Sequence, residues 1–183
     1  MKVEQGELAG VVLIELDVLA DSRGVFCETW QQTRYAGIGV PGPFVQDNIS
    51  SSVRGVLRGL HFQQPNPQGK LIHVLQGEIY DVAVDIRMGS SMFGRWMGAV
   101  LSSENRRQMY VPEGFAHGFC VLSESALVSY KCSALYSRPS EACLLWNDPQ
   151  VGVRWPIDRP SLSAKDEAGA SLKQLAAEGR LPK

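Results

Sequence analysis

Ile79-Tyr80-Asp81-Val82-Ala83-Val84-Asp85-Ile86 alternates in period two, with Tyr80, Val82, Val84 and Ile86 on one side and Ile79, Asp81, Ala83 and Asp85 on the other. Side chains two apart share a face only on an extended chain, so this stretch reads as a β-strand. Outward from it, similar short runs recur at 11–16, 71–75, 96–101, 108–111, 118–122, 127–132 and 142–146, punctuated by Gly, Pro, Ser and Asn. Many short strands at such spacing predict an all-β sandwich or barrel. Helical patterning is confined to the edges. A short helix is expected at 31–36, and a C-terminal one carries Leu172, Leu175 and Ala176 before Gly179, which is placed to end it. Pro41-Gly42-Pro43 marks a loop rather than a linker, and no internal repeat is present.

A chain of 183 residues is long enough to close one good core, whereas two full domains would each be small for independent stability, so one domain over 1–183 is expected. With 44% hydrophobic residues, 20% charged residues and a formal net charge of -1, there is no basic field to attract nucleic acid or an acidic membrane. No run approaches the length of a membrane span. The stretch Met1-Lys2-Val3-Glu4-Gln5 lacks the charged and apolar regions of a signal peptide, so a cytoplasmic protein is expected. Cys27, Cys120, Cys132 and Cys143 show no C-x-x-C spacing, and neither disulfides nor zinc is expected.

The chemistry-bearing stretch is Arg58-Gly59-Leu60-His61-Phe62-Gln63, which holds one of three histidines between apolar residues. Gln46, Asp47 and Asn48 upstream and Lys70 downstream offer partners for a polar, anionic small molecule. On a regular strand Arg58 and His61 point apart. Gly59 resolves the conflict if it marks a bulge, which re-aims a neighbouring side chain. His61 then reads as a tuned base; the plain alternative is a hydrogen-bonded core histidine. Tyr130 reads either as a general acid or as a buried phenol with an ordinary partner. Ser163, three residues before Asp166, reads as a cap ahead of the C-terminal helix, and Asp166 is also able to orient a histidine. The spacing Pro112-x-Gly114-x-x-His117 resembles the second signature of the cupin barrels, whose histidine is frequently a metal ligand. The first signature, two histidines one residue apart, is missing: His61 and His73 are twelve apart. A metal-dependent cupin using His61, His73 and His117 is the alternative this leaves, and the expectation is no metal. His73, with Leu71 and Leu75 on its own face, reads as a packed or partly exposed strand residue.

Taken in order, these residues resemble the dTDP-4-dehydrorhamnose 3,5-epimerase family of nucleotide-sugar epimerases, over nearly the whole chain. The resemblance is carried by Asp21-Ser22-Arg23-Gly24 with Phe26 and Glu28; Gln46-Asp47-Asn48; the Arg58 to Gln63 stretch; and Gln68-Gly69-Lys70-Leu71. It continues through the Asp81 to Arg87 strand, Gly94, the Pro112 to Phe119 turn, Tyr130-Lys131, Trp146 to Pro149 and Leu162 to Asp166. It implies a cupin-type jelly-roll barrel with short peripheral helices and a C-terminal helix, acting as a homodimer on a nucleotide-sugar substrate without a cofactor. By resemblance His61 is the base, Asp166 holds its imidazole, Lys70 stabilises an enolate oxygen and Tyr130 returns a proton from the opposite face. Arg23 and Arg58 match diphosphate contacts. Glu28, Gln46, Asn48, His117, Glu141 and Lys165 match substrate contacts, Tyr136 stacks on the base, and Phe26 flanks it. Some residues of the N-terminal region reach the neighbouring subunit's site. After Tyr130-Lys131 the family usually continues with two threonines and an aspartate, whereas this chain has Cys132-Ser133-Ala134-Leu135. Relatives that invert one carbon only keep the same His, Lys and Tyr set, so a single-carbon epimerase stays open, as does a non-catalytic sugar-nucleotide binding module.

Overall fold

The computed structural model describes residues 1–183 and contains thirteen strands and three short α-helices. The chain opens with β1 (Lys2–Gln5), β2 (Val12–Glu15), a hairpin of β3 (Leu19–Asp21) and β4 (Gly24–Phe26), and α1 (Gln32–Ala36). The body follows as β5 (Gln46–Val53), β6 (Leu57–Gln63), β7 (Lys70–Gln76), β8 (Glu78–Asp85), β9 (Trp96–Ser102), β10 (Arg107–Val111), β11 (Phe115–Val121), β12 (Ser125–Cys132) and β13 (Glu141–Cys143). Two helices, α2 (Ala164–Glu167) and α3 (Leu172–Ala177), complete it.

Strand pairing is antiparallel throughout and yields two large sheets, β1-β2-β10-β7-β12-β5 and β13-β6-β11-β8-β9. Ile72, Val74 and Val128 of the first sheet meet Ile79, Ala83 and Phe119 of the second in one shared core. Two antiparallel sheets with inner faces packed together are the expected all-β jelly-roll arrangement.

The alternation read in the sequence decides where β8 sits. Ile79 and Ala83 face the core between the sheets, while Val82, Val84 and Ile86 face a second core closed by Val151, Leu172, Leu175 and Leu181. The strand is therefore covered on both sides, and every residue from Asp81 to Asp85 is buried. Leu172 and Leu175 are fully buried, which contributes about 1.5–3 kcal/mol for each side chain and fastens the C-terminal segment over the second sheet.

Caps at both edges follow local chemistry. Gln31 caps α1 by accepting from the Arg34 backbone N–H. Ser163 caps α2 rather than the C-terminal helix, and Ser171 caps α3 through a reciprocal capping box with Gln174. The expected strand at 142–146 ends at Cys143. Beyond it Leu144 still exchanges backbone hydrogen bonds with Leu60 and bridges to Ala170. Four strands had no apolar period to announce them: β1, β3, β4 and β5.

Candidate active site

The site begins at a bulge. His117 lies opposite His61 and Phe119 lies opposite Arg58, so two steps along β11 match three along β6. The extra residue sits at Gly59, whose φ is 128°. A Cβ there would meet Gly118 Cα at 2.5 Å and His117 O at 2.8 Å, so only glycine fits. The bulge brings Arg58 and His61, which a regular strand would separate, into one cleft of about 400 Å³ between the sheets, within the usual size of a small-molecule site.

His61 comes from the second sheet with its side chain 28% exposed, and its Nε2 lies 2.5 Å from Asp166 Oδ1. Asp166 is buried on α2, a helix tied down on both sides. Ser161 exchanges backbone hydrogen bonds with Gly55 and Leu57 before it, and Ala170 does so with Cys143 and Leu145 after it. Burial pushes the Asp166 carboxyl up, but hydrogen bonds from His61 and Ser163 and the charge of Lys165 outweigh it and hold the group below its ordinary value. Burial also lowers His61, against the pull of Asp166, with Lys70 and Lys165 adding to the drop. A carboxylate facing a neutral imidazole leaves the shared proton on Nε2, so Nδ1 is the ring nitrogen free to accept another.

Across the cleft, the first sheet supplies Lys70 at the start of β7 and Tyr130 on β12. The Lys70 ammonium is buried and donates to the His61 carbonyl at 3.2 Å. Burial lowers its pKa, with Cys132, Asp81 and Glu141 opposing the shift. Burial raises the Tyr130 phenol, so it keeps its proton at neutral pH. The arrangement therefore sets an acceptor on one sheet against a donor and a cation on the other.

Further residues read from the sequence join the same cleft. Arg58 is held through Nε by Ser52 Oγ at 3.0 Å, which leaves its terminal nitrogens for a ligand. Gln46 donates to Asn48 Oδ1 and accepts from the Tyr136 backbone N–H at 2.7 Å. Glu141 takes Lys165 at 2.7 Å on one oxygen and the Tyr136 hydroxyl at 3.1 Å on the other. Burial raises Glu141, yet Lys165 and Tyr136 pull it below its usual value. His117 lines the cleft with Nε2 2.8 Å from Asp81 Oδ1.

Three expected contacts are not brought to this cleft by the chain itself. Arg23 is 86% exposed and paired with Asp21, and Phe26 is 68% exposed; both lie on the β3–β4 hairpin. Glu28 pairs with Arg34 at 3.1 Å beside α1. The physical reason is that no residue of β3 or β4 is buried, so the hairpin is not packed down onto the cleft of its own chain. The three-histidine metal set is not assembled either, because His73 lies on the opposite face of β7 from Lys70, Ile72 and Val74. Of the two readings left open for it, packed or partly exposed, it is packed, with Nε2 unpartnered.

Sequence reasoning assigned no role to Asp81 or Cys143. Asp81 is fully buried, hydrogen-bonded to His117, and its Oδ2 has no partner. Its signal was present: an acidic residue on the strand face shared with Ile79 and Ala83. The Cys143 thiol sits 3.5 Å from Gly59 O and 3.9 Å from Asp166 Oδ1, and burial, reinforced by the Asp166 charge, pushes it up to about 12.

Comparison with known proteins places this geometry. Residues 5–174 match the model of a family described as dTDP-4-dehydrorhamnose 3,5-epimerase. The dTDP-4-dehydrorhamnose 3,5-epimerase of Pseudomonas aeruginosa is 49% identical over 174 residues, covering 94% of this chain and 96% of the relative. The dTDP-6-deoxy-D-glucose-3,5-epimerase of Legionella pneumophila, solved in complex with dTDP-4-keto-L-rhamnose, superposes with a TM-score of 0.96 at 46% identity, covering 100% of this chain and 97% of that one. A 3'-monoepimerase from Streptomyces bikiniensis, in complex with dTDP-quinovose, gives a TM-score of 0.91 at 32% identity, covering 97% and 91%.

Proposed function

Since the chain belongs to the dTDP-4-dehydrorhamnose 3,5-epimerase family, and is an epimerase, we propose that its cleft inverts C3 and C5 of a nucleoside-diphosphate 4-keto-6-deoxy sugar. The substrate is then dTDP-4-dehydro-6-deoxyglucose and the product dTDP-4-dehydrorhamnose. The observation that carries the reading is the opposition of His61 on the second sheet to Tyr130 and Lys70 on the first.

The C4 ketone acidifies the hydrogens at C3 and C5, so the chain's own side chains suffice for the chemistry. His61 Nδ1 takes the proton from carbon, and the imidazolium that forms is stabilised by Asp166 at 2.5 Å. The electron pair moves onto the C4 oxygen, where the buried Lys70 ammonium meets it. Tyr130 delivers a proton to the other face of the carbon, and the configuration inverts. Arg58 holds the diphosphate through its terminal nitrogens. Tyr136 stacks on the base, and Gln46, Asn48, His117, Glu141 and Lys165 fix the rest of the substrate.

The exposed hairpin completes the picture if the protein works as a homodimer. Arg23, Phe26 and Glu28 then serve the cleft of the partner subunit. One domain spans 1–183 and works in the cytoplasm; no helix is long and apolar enough to cross a membrane.

The experiment is incubation with the keto sugar nucleotide in heavy water, reading deuterium at each carbon. Label at both C3 and C5 is expected; wild-type protein that incorporates none would sink the reading. A narrower version stays open at one wall of the cleft: Cys132, where the family resemblance leads to threonine, lines it directly opposite Lys70 in the β7–β12 register. Label at one carbon only identifies a single-carbon epimerase.

A further inference from the structure

The imidazole of His61, the thiol of Cys143 and the carboxylate of Asp166 each offer one ligand atom, all within 4.8 Å of one another. Cys143 comes from β13 and Asp166 from α2, and both are fastened next to β6, so three separate elements converge. We propose that these three side chains form a capture site for a soft divalent cation, zinc or cadmium, and that its occupancy switches the epimerase off.

The donor set is one nitrogen, one sulfur and one carboxylate oxygen, the combination that tetrahedral zinc takes, with the fourth position left to water. Bonds of about 2.0–2.3 Å put neighbouring donors roughly 3.3–3.6 Å apart. The 3.9 Å from Cys143 Sγ to Asp166 Oδ1 is close to that spacing already. The 2.5 Å between His61 Nε2 and Asp166 Oδ1 must widen by roughly 1 Å, because the ion takes the place of the proton they share. Asp166 is buried rather than exposed, which distinguishes the cluster from an ordinary acidic surface group.

The proton balance gives the consequence. On coordination the Cys143 thiol loses its proton to solvent and binds as thiolate. The His61 proton leaves Nε2, which now binds the ion, and moves to Nδ1. One proton is released for each ion bound. An imidazole protonated on Nδ1 and coordinated through Nε2 has no lone pair left to accept a proton from carbon. The ion is thus a reversible inhibitor. The inhibition rests on His61 being the base, but coordination itself does not.

Cadmium chloride titrated into the purified full-length chain is the probe, because a cadmium–thiolate bond gives an ultraviolet charge-transfer band. The band should saturate at one ion per chain with one proton released, and should vanish in Cys143→Ala while surviving in Cys27→Ala, a control for the other partly exposed thiol. Heavy-water exchange into the keto sugar nucleotide should stop as the band saturates and return with a chelator. Cys143→Ala should keep exchanging, with cadmium sensitivity weakened about tenfold or more, and Cys143→Ser provides the same comparison at nearly native side-chain size. A band that persists undiminished in both Cys143 variants, or no band in the wild type, overturns the site and leaves the epimerase reading standing. A saturated, Cys143-dependent band with undiminished exchange leaves the site standing and removes His61 as the base.

Discussion

The two histidine–aspartate pairs of this cleft use the same groups at nearly the same spacing, 2.5 Å for His61–Asp166 and 2.8 Å for His117–Asp81, and the histidines are direct neighbours across β6 and β11. Their surroundings differ. His61 is 28% exposed, and its aspartate arrives from 105 residues away on a helix clamped over the second sheet. The side chains of His117 and Asp81 are 9% and 0% exposed and come from adjacent strands. The first pair has an open side where a proton can enter, whereas in the second only the edge of His117 reaches the cleft and Asp81 lies wholly behind it. Equal chemistry at unequal exposure leaves one pair open enough for the proposed proton transfer and one whose aspartate serves chiefly to hold its histidine in place.

Substitution should separate the two roles, with the largest effect at His61. His61→Asn leaves Asp166 an amide donor but removes the proposed base, so heavy-water exchange should fall by on the order of 10²–10⁴-fold. Its melting temperature should stay near the wild-type value. Retained exchange would break the comparison at once. His117→Ala should do the reverse. With the histidine gone, Oδ1 of the buried Asp81 loses its partner and joins the already unpartnered Oδ2, costing about 1–3 kcal/mol, visible as a drop in melting temperature. Any loss of rate should be the smaller effect.

Asp166→Asn comes next. An amide that donates to Nε2 would force the ring proton onto Nδ1, so turnover should drop on the order of 10²-fold through kcat while KM moves little. Parallel loss in KM would show that Asp166 shapes binding instead. The smallest effect is the pH profile. Burial lowers His61 from its ordinary 6.5, so its neutral, accepting form persists through pH 6.5 and is lost only at more acid pH. The acid limb of kcat/KM should therefore lie below 6.5 and drop about tenfold per unit. A limb above 6.5 would mean that Asp166 outweighs burial at that ring.

Much of this contrast was legible in the sequence, but unevenly. The alternation in β8 marked the strand, and Gly59 marked the bulge that unites Arg58 with His61. β5 escaped because neither of its faces is apolar in pattern: Gln46, Asn48 and Ser50 turn toward the cleft, while Ile49 and Val53 are 66% and 64% exposed. Hydrophobic period reports burial, and a strand that presents polar groups to a ligand has little of it. Asp81 escaped for a related reason. In a half-exposed strand its face would be the solvent side, and only the packing of both sheet faces turns it inward. The placement of Arg23, Phe26 and Glu28 outside the cleft was not readable from local pattern, because two three-residue strands carry no period that tells whether their own chain covers them.

The clamp on α2 has a temporal consequence. The sheets are complete by Cys143, yet the carboxylate paired with His61 lies at position 166, between backbone bridges at Ser161 and Ala170. As the chain emerges during synthesis, the strands that carry Arg58, His61, Lys70 and Tyr130 are all made before Lys165 and Asp166. The Asp166 partner is then added only when the final stretch lies down over the second sheet and closes its core.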